Sequence, residues 1–142
     1  MGHVAGSEID GRTIAYDLSL EGMLSQKKDF IGKRSLTRKA FTENDREKIV
    51  GVVPIDKKTS IPEGSYLVEN EKAKFPNPKL GHVSASCWSV EYDNPFSLAI
   101  IKDGTNKKGE KLFAVSPLNN MIIPVEIVSQ HYVDPEGKRV RS

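Results

Sequence analysis

Residues 79–102, KLGHVSASCWSVEYDNPFSLAIIK, carry the pattern of two β-strands joined by a turn. The first half partly alternates between apolar and polar residues, as a strand with one buried face does. The second half, residues 96–101, is almost continuously apolar, as a central strand buried on both faces would be. Between them, Asp93, Asn94 and Pro95 interrupt the run, since proline has no N–H to donate to a strand ladder. This stretch predicts the centre of a β-rich fold.

Shorter apolar segments on either side of this stretch also have the length of strands. The connections between these segments are too short for the helical crossovers that a doubly wound α/β sheet needs. The sequence therefore predicts a mainly β domain, either a small antiparallel β-barrel or a jelly-roll-like sandwich, with one short helix. The additional strands are expected at residues 49–53, 66–68, 111–115 and 121–128.

Two local features complete this prediction. The polar residues 103–109 are expected to close a hairpin between residues 96–101 and the strand that begins at Lys111. A short helix is expected at residues 31–40, because Asp29 is placed to cap it and because Ile31, Leu36 and Ala40 are spaced for one face. Pro124 is expected at a sheet edge or a bulge, where its missing N–H costs nothing.

Residues 18–142 are predicted to form one barrel domain, and residues 1–17 are interpreted as a connector from upstream or as an added start. That first segment is polar and contains glycine, so it offers no face to bury. The strand patterns predict a core that includes Val50, Val52, Leu67, Val83, Leu98, Ile100, Phe113, Val125 and Ile127.

The composition bounds the classes of function. The 142 residues are 37% hydrophobic and 28% charged, and no apolar run approaches the roughly 20 residues that span a bilayer. A net charge of +2, dispersed along the chain, does not indicate a nucleic-acid surface. One cysteine excludes an intrachain disulfide and fits a reducing compartment, so a cytoplasmic location is expected, with neither a membrane nor a nucleic acid as partner.

Motifs with their own chemistry are absent from the sequence. There is no nucleophile elbow, phosphate-binding loop or metal-ligand spacing. His82 has no second His or Cys at ligand spacing, and Cys87 has no neighbour that would activate it, so a buried, inert thiol is expected. The residues by themselves predict no catalytic group and no metal site.

Six segments, taken in order, resemble one known family. They are KKDFIGKRSL, IVGVV, IPEGSYLV, LGHVSASCWS, FSLAIIKDGTNKKGEKLFAVSPL and IIPVEIVSQHYVDPEGKRVR. Their order and spacing resemble the carboxyl-terminal part of sarcosine oxidase alpha subunits, which is similar to the terminal barrel of the glycine-cleavage T-protein (aminomethyltransferase) family. The resemblance extends from about Asp10 to Arg141. It implies a small β-barrel that follows a folate-binding body.

The resemblance also implies a function for the longer protein. Enzymes of this kind oxidatively demethylate sarcosine to glycine and pass the one-carbon unit to tetrahydrofolate. The heterotetrameric forms use FAD, covalently attached FMN, NAD and zinc, all bound outside this segment. The implied partners are the upstream domains of the same chain and the beta, gamma and delta subunits. The segment alone is expected to be inactive, because the folate-handling acidic residue belongs to the preceding body.

Two other interpretations stay open. The chain could be the terminal barrel of a T-protein or of another folate-dependent demethylase, or it could be a non-catalytic interaction barrel.

Four residues are candidates for the folate side of such a module. Ser84 and Ser86 either point hydroxyls toward folate or satisfy nearby backbone groups. Trp88 either stacks on a pterin or a neighbouring domain, or is plain core. Arg46 either binds a folate carboxylate bidentately or belongs to a solvated linker.

A module taken from a longer chain is also expected to expose apolar area that met its neighbour. This patch is expected to involve residues 84–90 together with Phe30, Ile31, Leu36 and Phe41.

Overall fold

Six antiparallel strands close into a barrel in the order β1-β4-β3-β2-β5-β6 in the computed structural model, which describes residues 9, 11–43, 45–71 and 79–141. β4 returns to lie beside β1, so β1 to β4 form a Greek key. The predicted mainly β fold is confirmed. The strands are β1 (Glu47–Pro54), β2 (Tyr66–Val68), β3 (Gly81–Ser89), β4 (Asn94–Lys102), β5 (Lys111–Ser116) and β6 (Met121–Val128).

The central pair of strands is confirmed as the β3–β4 hairpin. The second predicted hairpin, between β4 and β5, is wrong. Both sides of β4 are occupied by β1 and β3, while β5 pairs with β2 and β6. The loop of residues 103–110 therefore crosses to the opposite wall of the barrel, a connection that local turn chemistry does not distinguish from a hairpin.

The core follows the alternation of side chains in a closed barrel, in which every second residue faces inward. Leu98 and Phe113 were predicted to be core residues but are half-buried on the outer face, because Ala99 and Ala114 occupy the inward positions beside them. Ile100 is buried on the outer face. There it lines a small cleft with residues of the N-terminal segment, by which we mean the chain before β1. The inward-facing core comprises Val50, Val52, Ile61, Leu67, Val83, Ala99, Ile101, Leu112, Ala114, Ile123, Val125 and Ile127.

Gly81, at the start of β3, lies where two strands approach closely. A Cβ atom at this position would overlap the carbonyl oxygen of Ile100 in β4. Glycine is required here because it has no side chain. The backbone angle at Gly81 is not an unusual one.

The helix predicted at residues 31–40 is replaced by two short turns. A 3-10 helix spans Lys33–Thr37 and a single α-turn, α1, spans Lys39–Thr42, with extended backbone at Arg38 between them. Ile31 is fully exposed, so the expected apolar face has no partner, and a helix this short needs packing to form. Asp29 accepts a hydrogen bond from the N–H of Phe30 rather than capping the helix.

The remaining short elements are a 3-10 helix at Glu21–Met23 and a C-terminal turn, α2, at Lys138–Arg141. Within the described ranges, no helix has the length and apolar content needed to cross a bilayer. Residues 1–8 and 10 of the predicted connector lie outside the described residues, and the boundary at residue 17 stays a prediction.

Candidate functional site

Trp88 lies on a part of the β3–β4 hairpin that extends beyond the barrel wall. β1 pairs with β4 only as far as Ser97, whereas β3 continues along β4 to Ser89. Trp88 lies opposite Pro95 in this extension and is 52% exposed. The interpretation of Trp88 as plain core is wrong, because β1 has already separated from β4 at this level.

Ser84 and Ser86 direct their hydroxyls at neighbouring groups of the barrel. Ser84 occupies a bulge in β3, and its hydroxyl donates to the carbonyl oxygen of Leu98 at 3.3 Å. The hydroxyl of Ser86 donates to the carbonyl oxygen of Ile61 at 2.6 Å and lies 2.9 Å from the hydroxyl of Ser97. Both serines therefore satisfy nearby backbone groups, which is one of the two roles that the sequence suggested for them. A folate contact from either serine stays a prediction.

Arg46 binds an internal carboxylate. Its Nε donates to Oδ1 of Asp17 at 2.9 Å, and a terminal nitrogen donates to Oδ2 of the same residue. The terminal nitrogens also donate to the carbonyl oxygens of Ala40 at 3.0 Å and of Arg12 at 2.9 Å. The side chain of Arg46 is only 19% exposed, so its interpretation as part of a solvated linker is wrong.

These contacts attach the N-terminal segment to the barrel. The hydrogen bond to Asp17 is the main reason that the pKa of Arg46 is raised. At the same place, the N–H of Ile49 in β1 donates to the carbonyl oxygen of Asp17 at 2.7 Å. Because Asp17 already fills the bidentate face of Arg46, a role for Arg46 at a folate carboxylate stays a prediction that requires this carboxylate to be displaced.

A cleft of about 410 Å³ lies between the hairpin extension and the segment that follows β6. Tyr132 holds that segment in place. Its ring stacks on Phe96, with ring centres 4.8 Å apart, and meets the ring of Tyr92 at 4.6 Å in a tilted arrangement. The amide nitrogen of Asn94 donates to the hydroxyl of Tyr132 at 3.1 Å. The lining of the cleft includes Cys87, Val90, Phe96, Gln130, Tyr132 and Val133.

The C-terminal turn is fixed to the same hairpin by an exposed ion pair. The guanidinium of Arg139 donates to both carboxylate oxygens of Glu91, at 3.0 and 2.7 Å. Asp134 caps α2 by accepting hydrogen bonds from the N–H groups of Lys138 and Arg139. The hydrogen bond from Arg139 is the main reason that the pKa of Glu91 is lowered. We call the Arg139–Glu91 ion pair the clasp. Its two residues are 48 positions apart, so no local pattern in the sequence indicates it.

Cys87 is exposed in the cleft, so the expectation of a buried thiol is wrong. Strand alternation explains the difference, because Cys87 lies on the outer face opposite Phe96. In the part of the chain that the structure describes, no group of three or more His, Cys, Asp or Glu residues is arranged to hold a metal ion.

Similarity to known proteins defines the class of this barrel. No protein-family model matches the sequence. The fold resembles part of the glycine cleavage system aminomethyltransferase T from Bartonella henselae, with a TM-score of 0.66 and 20% identity. That likeness covers 89% of this chain and 34% of the solved one, so both contain the same barrel.

The sequence is homologous to sarcosine oxidase alpha subunits. It is 33% identical to the subunit from Rhizobium meliloti over 140 residues, which is 98% of this chain. Identity to the alpha subunit from Corynebacterium sp. strain U-96 is also 33%, over 96% of the chain. The chain spans about 14% of the length of these curated relatives.

Proposed function

We propose that this chain is the terminal barrel module of a larger oxidoreductase that demethylates sarcosine to glycine and passes the one-carbon unit to tetrahydrofolate. The observation that carries the proposal is the 33% identity to sarcosine oxidase alpha subunits over nearly the whole chain. The aminomethyltransferase-type fold supports it. In this proposal the module supplies a surface to the enzyme, and the reaction centre lies in other parts of the enzyme.

Trp88 is the residue best placed to meet folate. Its indole presents a large apolar face beyond the barrel wall, and a pterin is a flat ring that stacks on such a face. Ser84, Ser86 and Arg46 fit the role less well, because their donor groups already bind other parts of the chain. In this proposal the chain holds one side of the folate through Trp88, and the rest of the enzyme holds the other.

The other cofactors of the proposed enzyme belong to its other parts. FAD and NAD need a glycine-rich turn between a strand and a helix, and the sequence has no such motif. We place zinc and the covalent FMN outside this chain as well. The proposed partners are the upstream domains and the beta, gamma and delta subunits, in a cytoplasmic enzyme.

The first test is turnover by the whole enzyme and by the 142-residue chain. The whole enzyme is expected to convert sarcosine to glycine and to form methylenetetrahydrofolate, and the chain alone is expected to form neither product with FAD, FMN and tetrahydrofolate supplied. Glycine formation by the chain alone would contradict its role as a module. Absence of sarcosine turnover by the whole enzyme would refute the assignment.

The second test is substitution of Trp88 in the whole enzyme. Trp88→Ala should weaken tetrahydrofolate binding by at least about fivefold, since stacking contributes about 1 kcal/mol in addition to the apolar area that is buried. Trp88→Phe should retain most of the affinity because it keeps a stacking face. Ile31→Ala, at an exposed residue of the N-terminal segment, is the control. Calorimetry measures the affinity of each variant for tetrahydrofolate. Equal affinities in all three variants would show that Trp88 does not contact folate.

A further inference from the structure

The two ends of the barrel differ in the side chains that they expose. β1, β3 and β5 finish at one end, where β4 and β6 begin. We call this the apolar end. It includes the hairpin extension and the segment packed on it, and it exposes Ile55, Trp88, Val90, Tyr92, Leu118, Ile122 and Val133.

Elsewhere in the described residues, exposed large hydrophobic side chains are fewer. Tyr16, Met23 and Ile31 are on the N-terminal segment, and the loop of residues 103–110 at the opposite end of the barrel is polar and charged. Single exposed hydrophobic residues need no explanation, whereas a cluster of them marks an interaction surface. The expected patch of apolar area is therefore concentrated at the apolar end, since Phe30, Leu36 and Phe41 are half-buried.

The apolar end also contains polar atoms without partners. The side-chain oxygens Oδ1 of Asn94 and Oε1 of Gln130 are buried and accept no hydrogen bond. Gln130 lines the cleft of about 410 Å³, and Asn94 binds Tyr132 on its wall. Buried side-chain acceptors without a protein donor commonly bind ordered water or another polar group. An occupant of this end is expected to bring apolar side chains that match those exposed there.

We propose that the apolar end docks against another part of a longer polypeptide that contains this chain. The length of the relatives argues for this occupant, because the chain corresponds to about 14% of the sarcosine oxidase alpha subunits and to 34% of the aminomethyltransferase. In both, the barrel occurs together with much more protein. Interfaces between domains of one chain commonly bury about 600–1,500 Å², which the end of a small barrel can supply. This proposal rests on the function proposed above only for the identity of the longer chain.

Cys87 allows a direct test, because it is the only cysteine of this chain, is exposed and lines the cleft. Its alkylation rate with iodoacetamide is measured by peptide mass spectrometry in the 142-residue chain and in the full-length polypeptide. We expect alkylation at least tenfold slower in the full-length protein, where the docked part covers the cleft.

Variants of the full-length protein then locate the contact. Val90→Asp and Val133→Asp place charges on the apolar end and should restore much of the alkylation rate. Ile31→Asp, at a fully exposed position on the N-terminal segment, should not. Circular dichroism of each variant checks that the barrel is intact, and the use of two variants guards against misfolding of either one.

Three outcomes would overturn the proposal. One is an equal alkylation rate of Cys87 in the 142-residue chain and in the full-length polypeptide. Another is protection that is lost with Ile31→Asp and kept with both valine variants, which would move the contact to the N-terminal segment. The third is concentration-dependent protection in the 142-residue chain alone, which would identify a second copy as the occupant. Sarcosine turnover is measured separately, so protection of Cys87 without turnover would refute the proposed function and leave this inference standing.

Discussion

The two halves of the β3–β4 hairpin show how one pair of strands serves two purposes. The half that begins at Gly81, the inner half, is part of the barrel wall, with β2 beside β3 and β1 beside β4. The other half, the outer half, extends past β1 and exposes Trp88 and Val90. Tyr132 and Arg139 from the C-terminal part of the chain support it. The first half is held by neighbours on both edges. The second is held by a few side chains, which leaves its surface open for a ligand or a partner.

Gly81→Ala should give the largest effect on the inner half. The added Cβ would overlap backbone atoms of Ile100, which cannot move aside without breaking the pairing of β3 with β4. We expect a loss of about 3 kcal/mol in the free energy of unfolding, at the upper end for overpacking. Gly22→Ala is the matched control, because a Cβ there meets nothing within 4 Å. Urea denaturation measures both, and equal midpoints would show that the strands can separate at Gly81 at little cost.

Val83→Ala and Val90→Ala compare the two halves directly, with the same change on one hairpin. Val83 is 1% exposed and Val90 is 91% exposed. Removing two buried carbon groups at Val83 should cost about 2 kcal/mol of unfolding free energy, including the cavity that remains. Val90→Ala should change it by less than about 0.5 kcal/mol. A comparable loss at Val90 in the 142-residue chain would mean that the extension is packed more tightly than its exposure indicates.

Arg139→Gln should give the smallest effect, and on the outer half only. Arg139 lowers the pKa of Glu91, so the contribution of this pair is present above the unfolded pKa of a glutamate and is lost as pH falls through the lower folded value. In an NMR titration, the variant should return the pKa of Glu91 toward its usual value of about 4.3. The thermal midpoint should change little, since exposed ion pairs contribute little to stability.

Two controls sharpen that titration. Lys138→Gln removes a neighbouring positive charge that pairs with Glu136, so it should leave the titration of Glu91 nearly unchanged. Asp56 is an internal reference, because hydrogen bonds from Thr59 and Lys58 lower its pKa to about 2 independently of the clasp. If Arg139→Gln leaves Glu91 titrating as before, the C-terminal turn is not fixed to the hairpin in solution.

Local patterns in the sequence were sufficient for the class of fold and for the positions of the strands. Alternation, continuous apolar runs and turn residues are properties of neighbouring positions, and they located all six strands within a few residues. The same patterns were misleading where a contact depends on a distant element. Leu98, in the apolar run of residues 96–101, was predicted to be a core residue, yet it is half-buried on the outer face and Ser97 faces inward.

The candidate site shows the same division. Ser84, Ser86, Trp88 and Arg46 were chosen because their side chains suit folate chemistry, but availability depends on what surrounds each one. Arg46 is bound by Asp17, which lies 29 residues earlier, and Trp88 is exposed because β1 ends its pairing with β4 at Ser97. Neither fact has a signature at the residue itself.

The sequence by itself determined the mainly β fold, the central hairpin and the family resemblance, since periodicity and ordered motifs are written in adjacent residues. Only the tertiary structure decided that β5 lies across the barrel from β4, that Arg46 fastens the N-terminal segment through Asp17, and that exposed apolar side chains gather at one end. Barrel closure is the physical reason. It assigns each strand two neighbours at once, and that choice fixes which edges are filled, which side chains are covered and which are left for a partner.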